Sequence, residues 1–165
     1  MLIRVSKVAL VAGVGFYLAL VVFNNVTDYA SNFPFVQHVL AMDTTFPGNH
    51  GMWRSVNATW VDHLFYVSII VWEGVACACI LTGAAQMWNA RKATALAFNR
   101  AKKFAIAGLV LNLLQWLVAF ITVGGEWFLM WQSTKWNGVA TAGHMFLVVG
   151  ITLLFVNSPE EELAP

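Results

Sequence analysis

Four apolar stretches, each long enough to cross a bilayer as a helix, leave this chain few folds to choose from. The hydrocarbon core takes about 20 mostly apolar residues of α-helix. The runs at about 5–23, 61–88, 104–123 and 139–156 meet that length. None alternates apolar with polar residues, as a membrane barrel strand would. Each is apolar nearly all round, the pattern of a helix whose outside meets lipid.

Composition agrees. Of 165 residues, 59% are hydrophobic and 10% charged, against about 25% charged in an average soluble domain. Mean hydropathy is +0.69. Together these exclude a disordered chain, a nucleic-acid binder and an ordinary soluble enzyme. The formal net charge of +1 creates no bulk field that would call for a charged partner. The expected fold is all-α: a single integral membrane domain over 1–165, a four-transmembrane-helix bundle with the lipid bilayer as its first partner and no nucleic acid.

Arg4 and Lys7 precede the first run, as in a signal peptide. However, the run is longer than the usual signal core, and Asn24-Asn25-Val26-Thr27 offers no small-residue cleavage site. A retained helix is expected. Seven of the nine basic residues (Arg4, Lys7, Arg91, Lys92, Arg100, Lys102, Lys103) then share one side, leaving Arg54 and Lys135 on the other. The positive-inside rule places both termini in the cytoplasm and the loops 24–60 and 124–138 outside. Trp60 and Trp88 bracket the second span; 28 residues apart, they are separated by about 42 Å of helix, the distance between the two interfacial zones. Trp53, Trp60, Trp127, Trp131 and Trp136 fall at the outer face with Glu126, an aromatic cap almost free of cations.

In the first outer loop, the stretch from Phe33 to Asp43 reads as a short interfacial helix starting near Pro34, a favoured first-turn residue. In the second, Gly124-Gly125 reads as the end of span three, and Trp127 and Trp131, at i and i+4, as one helical face. The string from Gly124 to Gly138, Gly-Gly-Glu-Trp-Phe-x-Met-Trp-Gln-Ser-x-x-Trp-Asn-Gly, resembles the hallmark of a bacterial family of predicted small integral membrane proteins of unknown function. Phe35-Val36-x-His38-Val39-Leu40-x-Met42-Asp43-Thr44 is similar to that family too. The resemblance covers nearly the whole chain; it implies a fold and a compartment, the bacterial inner membrane, and brings no site residues.

Polar groups inside the spans carry the functional reading, because an ionisable residue there is costly, about 3 kcal/mol for an acid on insertion scales. Glu73 lies near the middle of span two, where a neutral carboxyl both donates and accepts hydrogen bonds. Asn112 and Gln115 on span three and His144 on span four fall at similar depth. These four residues form either a hydrogen-bond network that fixes the bundle or a proton relay or ligand pocket. His63, Tyr66, Glu73 and Cys77 lie within about 80° of one another around span two, a polar stripe that must face other helices.

Other chemistry is thinner. His63 and His144, the histidines within spans, are the candidates for axial ligands of haem b, although about 7 Å apart in depth. A quinone could sit in an aromatic outer pocket against His63, Tyr66 or Glu126. Cys77 and Cys79 point to different faces and cannot bridge each other. No metal box, nucleotide fingerprint or nucleophile elbow is present, so no catalytic residue is assigned. Small residues recur at spacing four, as Ala9/Gly13, Gly15/Ala19, Gly74/Ala78 and Ala101/Ala105, and allow close helix approach. The function expected is a structural or accessory subunit associated with other membrane subunits. The alternative is a quinone- or haem-binding, proton-handling protein that uses the Glu73/His144 region.

Overall fold

Helices account for nearly all the regular structure because lipid offers no hydrogen bonds, and a helix satisfies its backbone within one segment. The computed structural model describes residues 1–162. Helix α1 spans Leu2–Thr27, α2 Tyr29–Ala41, α3 Thr59–Ala90, α4 Ala95–Ala101, α5 Lys103–Leu114 and α6 Val139–Asn157. Beyond Leu114 the chain keeps winding in a wider, π-type helix over Gln115–Trp127, here called the π segment. Phe128 N donates to Val123 O at 3.0 Å, and the Thr122 hydroxyl to Leu117 O at 2.9 Å, both reaching five residues back. Four helical stretches are long and apolar enough to cross a membrane: Leu2–Thr27, Thr59–Ala90, Ala95–Trp127 and Val139–Asn157.

α3 is the centre of the bundle, with broad interfaces to α1 and to α5; α6 closes against α5 and the π segment. Val11, Leu18, Ile80, Met87, Leu109 and Val149 form the apolar core between these helices. The α3–α5 seam is made by missing side chains. A Cβ on Gly83 would overlap the backbone N and Cα of Ala105, and one on Gly108 would stand 2.7 Å from Ile80 N and 2.9 Å from Ala76 O. Of the small-residue pairs, Gly15 meets Ile80 and Leu81, whereas Gly13 and Gly74 face open space and contribute nothing to packing within the chain.

Three local expectations need correction. The helix in the first long loop begins at Tyr29, and Pro34 lies inside it. It begins early because α1 and α2 are nearly continuous, divided only by Asp28 at φ −129°, ψ 57°. Gly124 and Gly125 do not end the third span. They are buried in the π segment, where Met130 and Val139 pack over them. Trp127 and Trp131 do not share a helical face, because Leu129 between them adopts φ 54° and turns the chain.

The first turns of α1 and residues 158–161 meet at one end of the bundle. Arg4 and Lys7 are fully buried there (0% exposed). Lys7 Nζ forms an ion pair with Glu160 and donates to Ser158 O and Oγ, each at 2.8 Å. Lys102 Nζ also donates to Ser158 O at 2.7 Å and lies 3.5 Å from Glu160 Oε1. Arg4 donates to the carbonyls of Ala93 at 2.6 Å and Glu161 at 3.0 Å, with its guanidinium over the Phe98 ring. Buried cations persist only when paired and hydrogen-bonded; Glu160 supplies the charge, and the carbonyls of Ser158, Glu161 and Ala93 supply acceptors.

Candidate functional site

The buried polar centre is built around Glu73, whose place on α3 turns it away from lipid and leaves it 2% exposed. Both carboxyl oxygens are occupied. Gln115, the first residue of the π segment, donates from Nε2 to Glu73 Oε1 at 2.8 Å. Asn25 of α1 donates from Nδ2 to Glu73 Oε2 at 2.9 Å. The Asn25 carbonyl oxygen in turn accepts from the Tyr66 hydroxyl at 3.1 Å and from Asn32 Nδ2 of α2 at 2.8 Å. A continuous chain of hydrogen bonds thus joins α2, α1, α3 and the π segment through one acid.

The structure brings Glu73 and Gln115 into contact and adds Asn25, which the sequence had left in a loop. Asn112 is buried but accepts from Trp116 Nε1 at 3.1 Å on its own helical turn. His144 stands exposed on α6, outside this network. Asn25 was hidden because the apolar run stops at Phe23, while the helix itself continues to Thr27.

The span-two stripe turns toward α1 and α2. Tyr66 is buried, and Cys77 Sγ lies 3.5 Å from Gly15 O. His63 Nδ1 is bonded to the Tyr29 hydroxyl at 2.8 Å, and its ring stacks on Phe33 with centroids 4.1 Å apart. His63 is therefore engaged by α2. Among the described residues, no group of three or more His, Cys, Asp or Glu is placed to hold a metal ion.

At the far end of the bundle from the Lys7–Glu160 pair, the two long loops are laced together into a cap. Arg54 donates to the carbonyl of Trp127 at 2.9 Å and to that of Glu126 at 3.4 Å. Its guanidinium also lies over the rings of Trp53 and Trp127, which meet edge to face at 5.8 Å. Glu126 enters this contact through its carbonyl. Trp136 stacks on His38 at 4.6 Å, and His38 Nδ1 is 2.7 Å from Asp43 Oδ2. Trp131 packs edge-on against Phe46, whose amide donates to Gln132 Oε1 at 3.0 Å. Ser133 Oγ accepts from the Thr44 hydroxyl and from Trp136 N, each at 2.8 Å. Arg54 is not legible as the bridge from the sequence, because its acceptors are carbonyls, which carry no residue-specific signal. Trp60 takes no part in these pairs and stands 71% exposed, as Trp53 stands 75% exposed.

Four apolar helices around one acid, under an aromatic cap, describe a membrane protein. Residues 3–159 match the family described as "Predicted small integral membrane protein (DUF2165)". The chain belongs to that family. Neither a curated protein nor a solved structure matches it. As a small integral membrane protein, the chain presents Phe16, Leu20, Leu147, Ile151 and Leu154, all exposed, to lipid acyl chains.

Proposed function

We propose that this small integral membrane protein is an accessory subunit of a larger membrane assembly, holding a fixed aromatic surface against its partners. The observation that carries this reading is the exposure of Trp53 and Trp60 on a cap that is itself immobilised. Arg54 pins the backbone beneath Trp53 to the second loop, and Val56 N donates to Leu40 O at 2.8 Å just before Trp60. Large aromatic residues on a rigid frame are the residue types that anchor protein interfaces, whereas headgroup anchoring alone needs no such lacing. The Glu73 clasp fits the same role, since amides from two other helices hold both of its oxygens.

The distribution of Lys and Arg supports a multi-pass orientation in a bacterial inner membrane, with the chain ends in the cytoplasm and the cap outside. The test is a photo-reactive amino acid at position 60, in cells, followed by gentle detergent extraction and native electrophoresis. A crosslink to a different polypeptide and a band heavier than the protein alone are expected. Migration alone, with crosslinks only to lipid, overturns the accessory role.

A further inference from the structure

A cleft of about 220 Å³ lies between α3 and the π segment. Phe65, Ile69 and Trp72 form one wall, and Gln115, Val118 and Ala119 the other. Its rim residues Phe65, Trp72 and Val118 are exposed, so it opens sideways into lipid rather than along the bundle axis. The Trp72 indole N–H is already donated to Leu111 O at 2.9 Å, and the Ser68 hydroxyl donates to Phe65 O at 2.7 Å. The cleft therefore offers aromatic faces, with the Trp72 and Ser68 donors already used.

It does offer an acceptor. Gln115 is 3% exposed, and its Oε1 is buried without a hydrogen-bond partner. Turning the amide would give up the bond from its Nε2 to Glu73 Oε1. A buried carbonyl left unpaired costs about 1–3 kcal/mol, and in a membrane no water is at hand to relieve it. Apart from Leu114, the residues lining this wall belong to the π segment, a wide winding that is rare and found frequently at functional sites. An apolar pocket, an unpaired acceptor on one of its lining residues and an irregular helix coincide at one place.

We propose that the cleft binds the ring of a lipid-dissolved phenol, the group that a reduced quinone also carries, with its hydroxyl donated to Gln115 Oε1. A flat ring suits the Phe65 and Trp72 walls, since aromatic pairs gain beyond their buried area. The apolar tail leaves through the lipid-facing opening. Only binding is involved, with no electron or proton transferred, and the site is independent of the accessory role.

The experiment titrates the full chain in lipid nanodiscs by calorimetry, with empty nanodiscs subtracted, using 4-hexylphenol, its methyl ether 4-hexylanisole, and 1-decanol. The phenol should bind at one site at least tenfold tighter than the ether, which has the same ring but no donor, and tighter than the alkyl alcohol. Ala119→Phe, which fills the cleft away from Glu73, should weaken phenol binding at least tenfold while circular dichroism stays unchanged. Equal affinity for phenol and ether overturns the proposal, as does undiminished binding to a folded A119F. Decanol binding as tightly as the phenol overturns the ring. If A119F does not fold, the phenol-to-ether ratio on the unaltered protein decides alone.

Discussion

Lys7 and Glu160, separated by 153 positions in the chain, form a buried ion pair at one end of the bundle. Glu160→Gln removes the negative charge and leaves Lys7 and Lys102 facing each other unneutralised. Removing one partner of a buried pair costs about 3–5 kcal/mol. Because the Glu160 site lies at the rim, a loss near the lower end, about 3 kcal/mol, is expected in denaturant titrations of the detergent-solubilised protein.

The same pair gives a pH dependence with a definite sign. Burial pushes the Glu160 carboxyl up, but the hydrogen bond and charge of Lys7 and the charge of Lys102 outweigh it and hold the carboxyl below its usual range. A carboxyl depressed in the folded state stabilises fully above its unfolded value, about 4.3, and loses that contribution as pH falls through the folded value. The melting temperature should therefore drop below about pH 4.3 in the native protein. In E160Q the drop attributable to this group should vanish; an identical acid limb in both would remove Glu160 from the account.

Glu73 separates two kinds of substitution. Glu73→Gln keeps the shape and still accepts from one of Asn25 and Gln115, so about 1 kcal/mol of loss is expected. Glu73→Leu leaves both amides without an acceptor in a region that water does not reach, and about 2–3 kcal/mol should be lost. Unfolding in mixed micelles measures both, and equal losses would mean that the hydrogen bonds do not hold the helices together.

Glycine-to-alanine changes should divide sharply by position. Gly83→Ala places a methyl into the Ala105 backbone and forces α3 from α5, costing about 1–3 kcal/mol or more by overpacking. Gly13→Ala meets nothing within 4 Å and should be neutral or stabilise by about 0.5 kcal/mol through helix propensity. Paired unfolding curves of the two variants check the contrast.

Arg54→Leu should release the cap without unfolding the bundle. The two carbonyls of Glu126 and Trp127 lose their donor, and Trp53 and Trp127 lose the cation between them. Hydrogen exchange at 126–131 should speed up roughly tenfold, matching about 1.4 kcal/mol of local stability. Exchange at Ile80 and Leu109 should stay as it was.

What could be read from the sequence was whatever lipid imposes along a single segment. The spans appear because length and hydropathy are local, and the Glu73–Gln115 contact because depth is counted from the interfacial tryptophans. Asn25 escaped because composition marks where apolar residues stop, whereas hydrogen bonding decides where a helix stops. The π segment left no trace, since a change from four- to five-residue bonding alters no residue type. The Lys7–Glu160 pair and the Gly83–Ala105 contact join distant parts of the chain, and a search for small residues along one helix finds Gly13 as readily as Gly83, although a Cβ on Gly13 would meet nothing within 4 Å.

Where α3 meets α5 at Gly83, only the backbone and methyl of Ala105 stand opposite, and neither has a rotamer to change. A contact without rotamers has no intermediate settings: it is shut, or the two rods have parted. Any movement this protein makes while still folded must therefore leave that pair travelling as one body. The open space beside Gly13, between α1 and α6, imposes no such lock.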